Sequence, residues 1–178
     1  MERISCIICD SDINLPFIKV SDRFSCKVFQ VVRCECSFKY LSPRPKFNEM
    51  ASYYENDKYE PHRTQIKSSF DSLYKWVQKH SLKWKYSHIS QFIKTGSLLD
   101  IGGARGEFCS YYQSRGWQAS LQDSSKKARS FAEKNKITTF ASLPKIKNKQ
   151  FNLITLWHSL EHIHEIEKLF SEIDRLII

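Results

Sequence analysis

Leu98-Leu99-Asp100-Ile101-Gly102-Gly103-Ala104-Arg105-Gly106-Glu107-Phe108 is the stretch on which the reading of this chain turns. An apolar run enters a glycine-rich turn, and a helical pattern follows at once. Glycines let the backbone bend sharply and approach a ligand closely, and a helix start adds free N–H donors. The plainer alternative is a tight strand–helix connection with no ligand. The surroundings decide between them, because the turn does not stand alone.

Downstream, strand-like and helix-like segments alternate. Residues 97–101, 117–121, 137–140 and 151–157 read as strands, and 106–115, 125–135 and 163–177 as helices. Gly116 closes the first of these helices. Such alternation predicts a parallel sheet with helices on its faces and ligands at the carboxyl ends of its strands. Upstream, Ile66, Phe70, Leu73, Val77 and Trp84 recur at helical intervals. They predict one long helix over about 62–95, or two broken near His80-Ser81, with Lys94-Thr95-Gly96 as the stop. Residues 47–60, with Tyr53, Tyr54 and Tyr59, read as a short helix and loop.

The first 45 residues are different in kind. They hold Cys6-Ile7-Ile8-Cys9 and Cys34-Glu35-Cys36, the strand-like runs 28–32 and 38–41, and a closing Ser42-Pro43-Arg44-Pro45. Two close cysteine pairs offer the four soft ligands of a tetrahedral zinc ion, and so small a segment needs such a staple. Cys6, Cys9, Cys34 and Cys36 are therefore the expected ligands of a structural zinc, with Cys26 as a substitute for one of them. The alternative is a set of buried, inert thiols. Cys109 falls in the helix after the glycine turn and reads as packing. Three regions result: a cysteine module (1–45), a helical linker or lid (46–96) and an α/β sheet domain (97–178).

Bulk properties set outer limits. In 178 residues, 41% are hydrophobic, enough for a core, and no apolar run approaches the roughly 20 residues that span a bilayer. No signal-peptide stretch opens the chain, so a cytoplasmic location with reduced thiols is expected. The net charge of +9 favours phosphate-bearing partners in principle, but the lysines are dispersed and fit a solvated surface.

The quoted stretch resembles motif I of class I S-adenosylmethionine-dependent methyltransferases, an acidic residue followed by Gly-x-Gly-x-Gly, with Ala104 in place of the middle glycine. The resemblance implies that Asp100, Gly102, Gly103, Ala104 and Gly106 surround the methionine and ribose end of S-adenosylmethionine. The segment 116–124 resembles the second strand of that family. Its acid, which accepts bonds from the ribose hydroxyls, falls at Gln122 or the adjacent Asp123; Asp123 also suits a cap for the helix near Ser125. The segment 151–162, ending Leu160-Glu161-His162, resembles motif IV. Together these imply an incomplete Rossmann-like methyltransferase sheet of about four strands, preceded by a small β-rich zinc module and a helical linker.

His158, Glu161 and His162 fall where an acceptor would meet the methyl group. They are candidates for general-base catalysis. Ubiquinone-biosynthesis O-methyltransferases carry a similar Glu-x-x-Glu-His metal group, which makes a divalent ion a bolder reading; backbone hydrogen bonding at the strand end is the plain one. The run Cys36 to Pro45 and the tyrosines after it are similar to a bacterial methyltransferase subset with an amino-terminal zinc-ribbon-like segment. Its members often modify sugars, lipids or other small metabolites. The family continues past motif IV into a fifth strand, so this chain reads as truncated, with an apolar edge strand open to pairing and uncertain activity on its own. The alternatives are a zinc-containing nucleic-acid-binding module or RNA methyltransferase, favoured by the Lys/Trp/Tyr mix at 79–86, and a non-catalytic scaffold.

Overall fold

The structure is a computed structural model and describes residues 1–22, 26–50 and 69–178, which divide into two compact units, 1–65 and 66–178. Tyr53, Tyr54, Tyr59, Ile66 and the expected helix start lie outside the described residues.

The first unit is a three-stranded antiparallel sheet of β1 (Asn14–Ser21), β2 (Val28–Cys34) and β3 (Lys39–Leu41) in that order. The strand β1 has no counterpart in the sequence reading. Its side chains are nearly all exposed and it contains Pro16, so it shows neither alternation nor a clean strand composition. It forms because seven of its residues find partners in β2, and Pro16 is tolerated at a sheet edge where the register shifts. Glu2 and Arg44 exchange two backbone hydrogen bonds (2.7 and 2.8 Å) and an ion pair at 2.8 Å, tying the amino terminus to the segment after β3.

The second unit begins with α1 (Ser69–Ile89) and continues β4 (Ser97–Ile101), α2 (Glu107–Gln113), β5 (Gln118–Gln122), α3 (Lys126–Lys134), β6 (Thr138–Phe140), β7 (Leu153–Thr155) and α4 (Ile166–Leu176). All four strands are parallel, in the order β6-β5-β4-β7. The alternation expected from sequence is present: β4 has the expected bounds, β5 lies one residue further along than expected, and the other segments are shorter than expected at one or both ends. Neighbouring residues of β4 feed opposite cores. Leu98 joins Phe108, Tyr112, Trp117 and Leu121 on one face, and Leu99 joins Ile146, Leu169 and Leu176 on the other.

Helix α1 runs unbroken through His80-Ser81, the first of the two alternatives, and corrects two other expectations. It stops at Ile89, before Lys94-Thr95-Gly96. Its core-facing residues are Leu82, Tyr86 and Ile89, whereas Leu73, Val77 and Trp84, the stripe chosen from sequence, are exposed. Two apolar stripes share this helix, and periodicity alone does not say which is buried. The outer flank of β7 is likewise not wholly bare: Phe151, just before it, bridges to Ile177, accepting from Ile178 N–H at 3.0 Å and donating to Leu176 O at 2.8 Å.

Candidate functional site

The carboxyl end of β4 leads into the turn of residues 102–106, where three non-standard backbone positions fall within five residues. Gly102, Ala104 and Gly106 have φ of 71°, 48° and 80°, and Gly106 is the residue from which α2 starts. Left-handed backbone costs a side-chain-bearing residue about 1–2 kcal/mol, so Ala104 is strained. One compensation is direct: the Asp123 carboxylate, at the end of β5, accepts the Ala104 N–H through Oδ2 at 3.0 Å.

The glycines of the turn are accounted for by internal packing. A Cβ on Gly102 would lie 2.5 Å from Ser159 Cβ; on Gly103, 2.7 Å from both Asp100 Oδ2 and Leu121 Cδ1; on Gly106, 2.7 Å from Ile137 Cδ1. The bend is therefore held against Leu121 of β5, Ile137 before β6 and Ser159 beyond β7. Gly102 N–H donates to Gln122 O at 2.7 Å, closing the turn against the end of β5.

Asp100 is 2% exposed at the carboxyl end of the central strand. Burial pushes its carboxyl up to about 7, against a hydrogen bond from Thr155 Oγ1 (2.7 Å) and the positive charge of Lys85, with Asp123 adding to the rise. Its other oxygen, Oδ2, faces Gly103. Lys85 arrives from α1, with its ammonium 4.1 Å over the Trp157 ring and 5.9 Å over that of Phe108; burial depresses its basicity. Thr155, Trp157 and Lys85 have no place in the sequence-derived site. Thr155 and Trp157 sit within the strand-end motif, but Lys85 lies in a lysine-rich helix with nothing in its neighbours to single it out.

Gln122 and Asp123 divide the work at the end of β5. Gln122 turns its amide to Ala141 O at 3.2 Å, toward β6. Asp123 uses its second oxygen to accept Ser125 N–H at 2.8 Å, and Ser125, rather than Asp123, caps α3 by accepting from Ala128 N–H at 3.2 Å. The acid thus joins the glycine turn to the next loop. Arg129 reinforces it by donating to Asp123 O at 2.6 Å.

Past β7, Ser159 is buried and donates to Ile101 O at 2.8 Å, which pins the strand-end segment to β4. A single 3-10 turn, Leu160–His162, follows. His158, Glu161 and His162 are exposed on this segment, and His158 holds a left-handed φ of 55°. Strain of this kind on a non-glycine residue concentrates at working positions. Among the described residues, the ligand atoms of these three do not converge as a metal group.

In the first unit the cysteines do converge. The Sγ atoms of Cys6, Cys9, Cys34 and Cys36 all lie within 4.8 Å of one another, with Cys6–Cys36 at 3.6 Å and Cys9–Cys34 at 3.5 Å. Zinc with four thiolates at about 2.3 Å spaces its sulfurs about 3.8 Å apart, so the set fits such an ion. Left-handed residues follow each pair, Asp10 at 54° and Ser37 at 73°. Burial opposes a Cys6 thiolate, but the N–H groups of Ile8 and Cys9 and the neighbouring Cys36 and Cys34 thiols prevail and lower it to about 7. Cys6 and Cys34 form the first unit's small core with Val32 and Tyr40, so a bound ion would reinforce a core of few apolar residues. Cys26 is exposed and is not a member of the cluster. Cys109 is buried and packed, its thiol against Ser120 O at 3.4 Å.

Among the described residues, no helix is long and apolar enough to cross a membrane. A family model described as a methyltransferase domain matches residues 62–177. No curated protein sequence matches the chain. Among solved structures, the plantazolicin methyltransferase BpumL, in complex with a triazolic desmethylPZN analog and SAH, is 17% identical over 74% of this chain and 48% of its own, with a TM-score of 0.51. A SAM-dependent methyltransferase from Archaeoglobus fulgidus is 25% identical over 55% of this chain and 45% of its own, with a TM-score of 0.44. The DhpI–SAH complex is 13% identical over 61% and 57%, with a TM-score of 0.47. The chain spans about half the length of these proteins.

Proposed function

This chain belongs to the methyltransferase-domain family, and from that premise we propose that its parallel sheet binds S-adenosylmethionine at the carboxyl ends of β4, β5 and β7 and directs methyl transfer to a small metabolite, sugar or lipid-type acceptor. The observation that carries the reading is the buried Asp100 carboxylate at the mouth of the central strand, beside Gly103 and the strained Ala104. A charge is costly there, and an incoming cation offsets that cost.

S-adenosylmethionine, when bound, supplies an electrophilic sulfonium methyl. The chain's residues do the rest. Asp100 presents negative charge to the ammonium of the donor's amino-acid end. The backbone at Gly102, Gly103 and Ala104 lines the approach, and Asp123 fixes that backbone. Gln122 or Asp123 meets the ribose. His158, Glu161 and His162 line the acceptor side, where an imidazole accepts the proton of an acceptor hydroxyl or amine. In-line displacement asks for positioning above all, and Ser159 provides it by holding the acceptor-side segment on β4. The four cysteines hold a structural zinc and take no part in transfer.

The test is calorimetric titration with S-adenosylhomocysteine. Saturable one-to-one binding, abolished in Asp123→Ala, is expected. No binding at millimolar ligand to a folded chain would sink the reading. Acceptor class follows from incubating the chain with labelled donor and fractionated polar and lipid metabolites.

A further inference from the structure

Helix α1 packs one face on the core of the second unit, through Leu82, Tyr86 and Ile89, and leaves a second apolar face exposed. Leu73, Trp76, Val77 and Trp84 are each more than half exposed. At about 100° per residue they fall, together with His80 and His88, within an arc of about 120°. The arc is ordered. The His80 ring lies 4.0 Å from that of Trp76 and donates through Nδ1 to Trp76 O at 2.9 Å. His88 repeats the arrangement on Trp84, at 4.4 Å and 3.2 Å. Phe92, just past the helix, is 90% exposed. A contiguous patch of large apolar side chains marks a surface that meets something other than water.

The charge around this face has one sign. Between Asp71 and Asp100 the chain has five lysines and no acidic residue. Lys85 turns inward onto Trp157, whereas Lys75, Lys79, Lys83 and Lys94 are exposed. Lys79 and Lys83 border the apolar arc on one side. Tryptophan and leucine flanked by lysines suit a helix lying in the plane of a lipid surface, with indoles at headgroup depth and ammonium groups on lipid phosphates. Two other occupants fit less well. A second copy of the helix would bury the exposed His80 and Ser87 in the seam and desolvate them. Nucleic-acid bases stack on open aromatic faces, and a histidine already covers one face of each indole.

We propose that the outer face of α1 is a peripheral membrane-binding surface, which takes a bilayer carrying anionic headgroups. The helix lies on that bilayer with its apolar arc inward and its inner face still packed on Leu98, Phe108 and Tyr112 of the core. The inference stands apart from the donor-binding reading, since the surface works the same way whether or not a methyl group is transferred.

The test is co-sedimentation of the full chain with phosphatidylcholine vesicles made with and without phosphatidylglycerol, together with quenching of tryptophan emission by lipids brominated on their acyl chains. Partition onto the phosphatidylglycerol vesicles, weakened by salt and accompanied by quenching, is expected. Lys79→Gln combined with Lys83→Gln weakens partition about 25-fold, from about fivefold per lysine. Trp76→Ser combined with Trp84→Ser removes the quenching and most of the partition. Thermal melts confirm that both double variants fold. Absence of partition onto either vesicle overturns the proposal, and so does partition that neither double variant changes, which would put the contact elsewhere on the chain. Binding of single-stranded RNA that the same substitutions abolish, with no vesicle partition, would make the face a nucleic-acid surface instead. A lipid-free dimer lost in the tryptophan variant, again with no partition, would make it a self-association surface; either result overturns the membrane assignment.

Discussion

Replacing Ala104 by glycine should stabilise the protein. Ala104 holds φ at 48°, where a Cβ crowds the following carbonyl; the penalty for such a residue is about 1–2 kcal/mol. Glycine removes it but gives the unfolded chain more freedom, which takes back about 0.4–1 kcal/mol. The balance is a gain of about 0.5–1 kcal/mol, which for a chain of this size raises Tm by about 1–4 °C. The Asp123 bond to residue 104 runs through the backbone N–H, at 3.0 Å, and survives the change. Differential scanning calorimetry of the parent, Ala104→Gly and Asp123→Asn measures the effect. Asp123→Asn should go the other way, because it weakens a charge-assisted bond to a strained position. A melting temperature that is unchanged or lower in Ala104→Gly would refute the argument, since it would mean that residue 104 does not populate the left-handed region in solution.

Other outcomes follow from the same geometry. Because Asp100 is raised to about 7 in the fold, the native state binds its proton more tightly than the unfolded chain does; stability should therefore fall as pH rises from about 4 to about 7, by on the order of a few kcal/mol, and urea melts of Asp100→Asn should lose that slope. Thr155→Val leaves Asp100 without its 2.7 Å hydrogen bond and should cost about 1–3 kcal/mol, read as a lower urea midpoint with unchanged m. Elemental analysis should give one zinc per chain, and Cys34→Ser should lose it together with the antiparallel sheet, read by far-ultraviolet circular dichroism. Once an acceptor is known, His162→Ala should lower kcat by about 10²–10⁴-fold, and the parent rate should not depend on added Mg²⁺ or Zn²⁺; a parent rate that depends on either ion, with that dependence lost in His162→Ala, would instead revive the metal reading of His158, Glu161 and His162.

The fold of the second unit was legible because its signals are local. Leu98 and Leu99 announce a strand buried on both faces, and the bend after Ile101 can be read from five consecutive residues. What escaped was everything that depends on who sits opposite. Gly102 is required by Ser159 and Gly103 by Asp100 and Leu121, partners up to 57 positions away. The same holds for α1, where Leu73, Val77 and Trp84 form as good an apolar stripe as Leu82, Tyr86 and Ile89, and tertiary packing picks the second. The cysteine pairs were legible through spacing alone, whereas β1 was not, since its stability lies in ladder bonds to β2 and its side chains carry no pattern. Lys85 illustrates the same divide within the site: its chemistry is common, and only its placement over Trp157 makes it distinctive.

The fit of Ser159 against Gly102 has a consequence for how this sequence can change over time. The space for a side chain at 102 is already filled from the far end of the motif, since a Cβ there would come within 2.5 Å of the serine's own Cβ. Descendants of this chain are therefore not free to drift at either site separately. Any lineage that acquires a side chain at 102 must shrink or swing aside residue 159 in step, forfeiting the bond to Ile101, and across related sequences the two positions should vary as a linked pair.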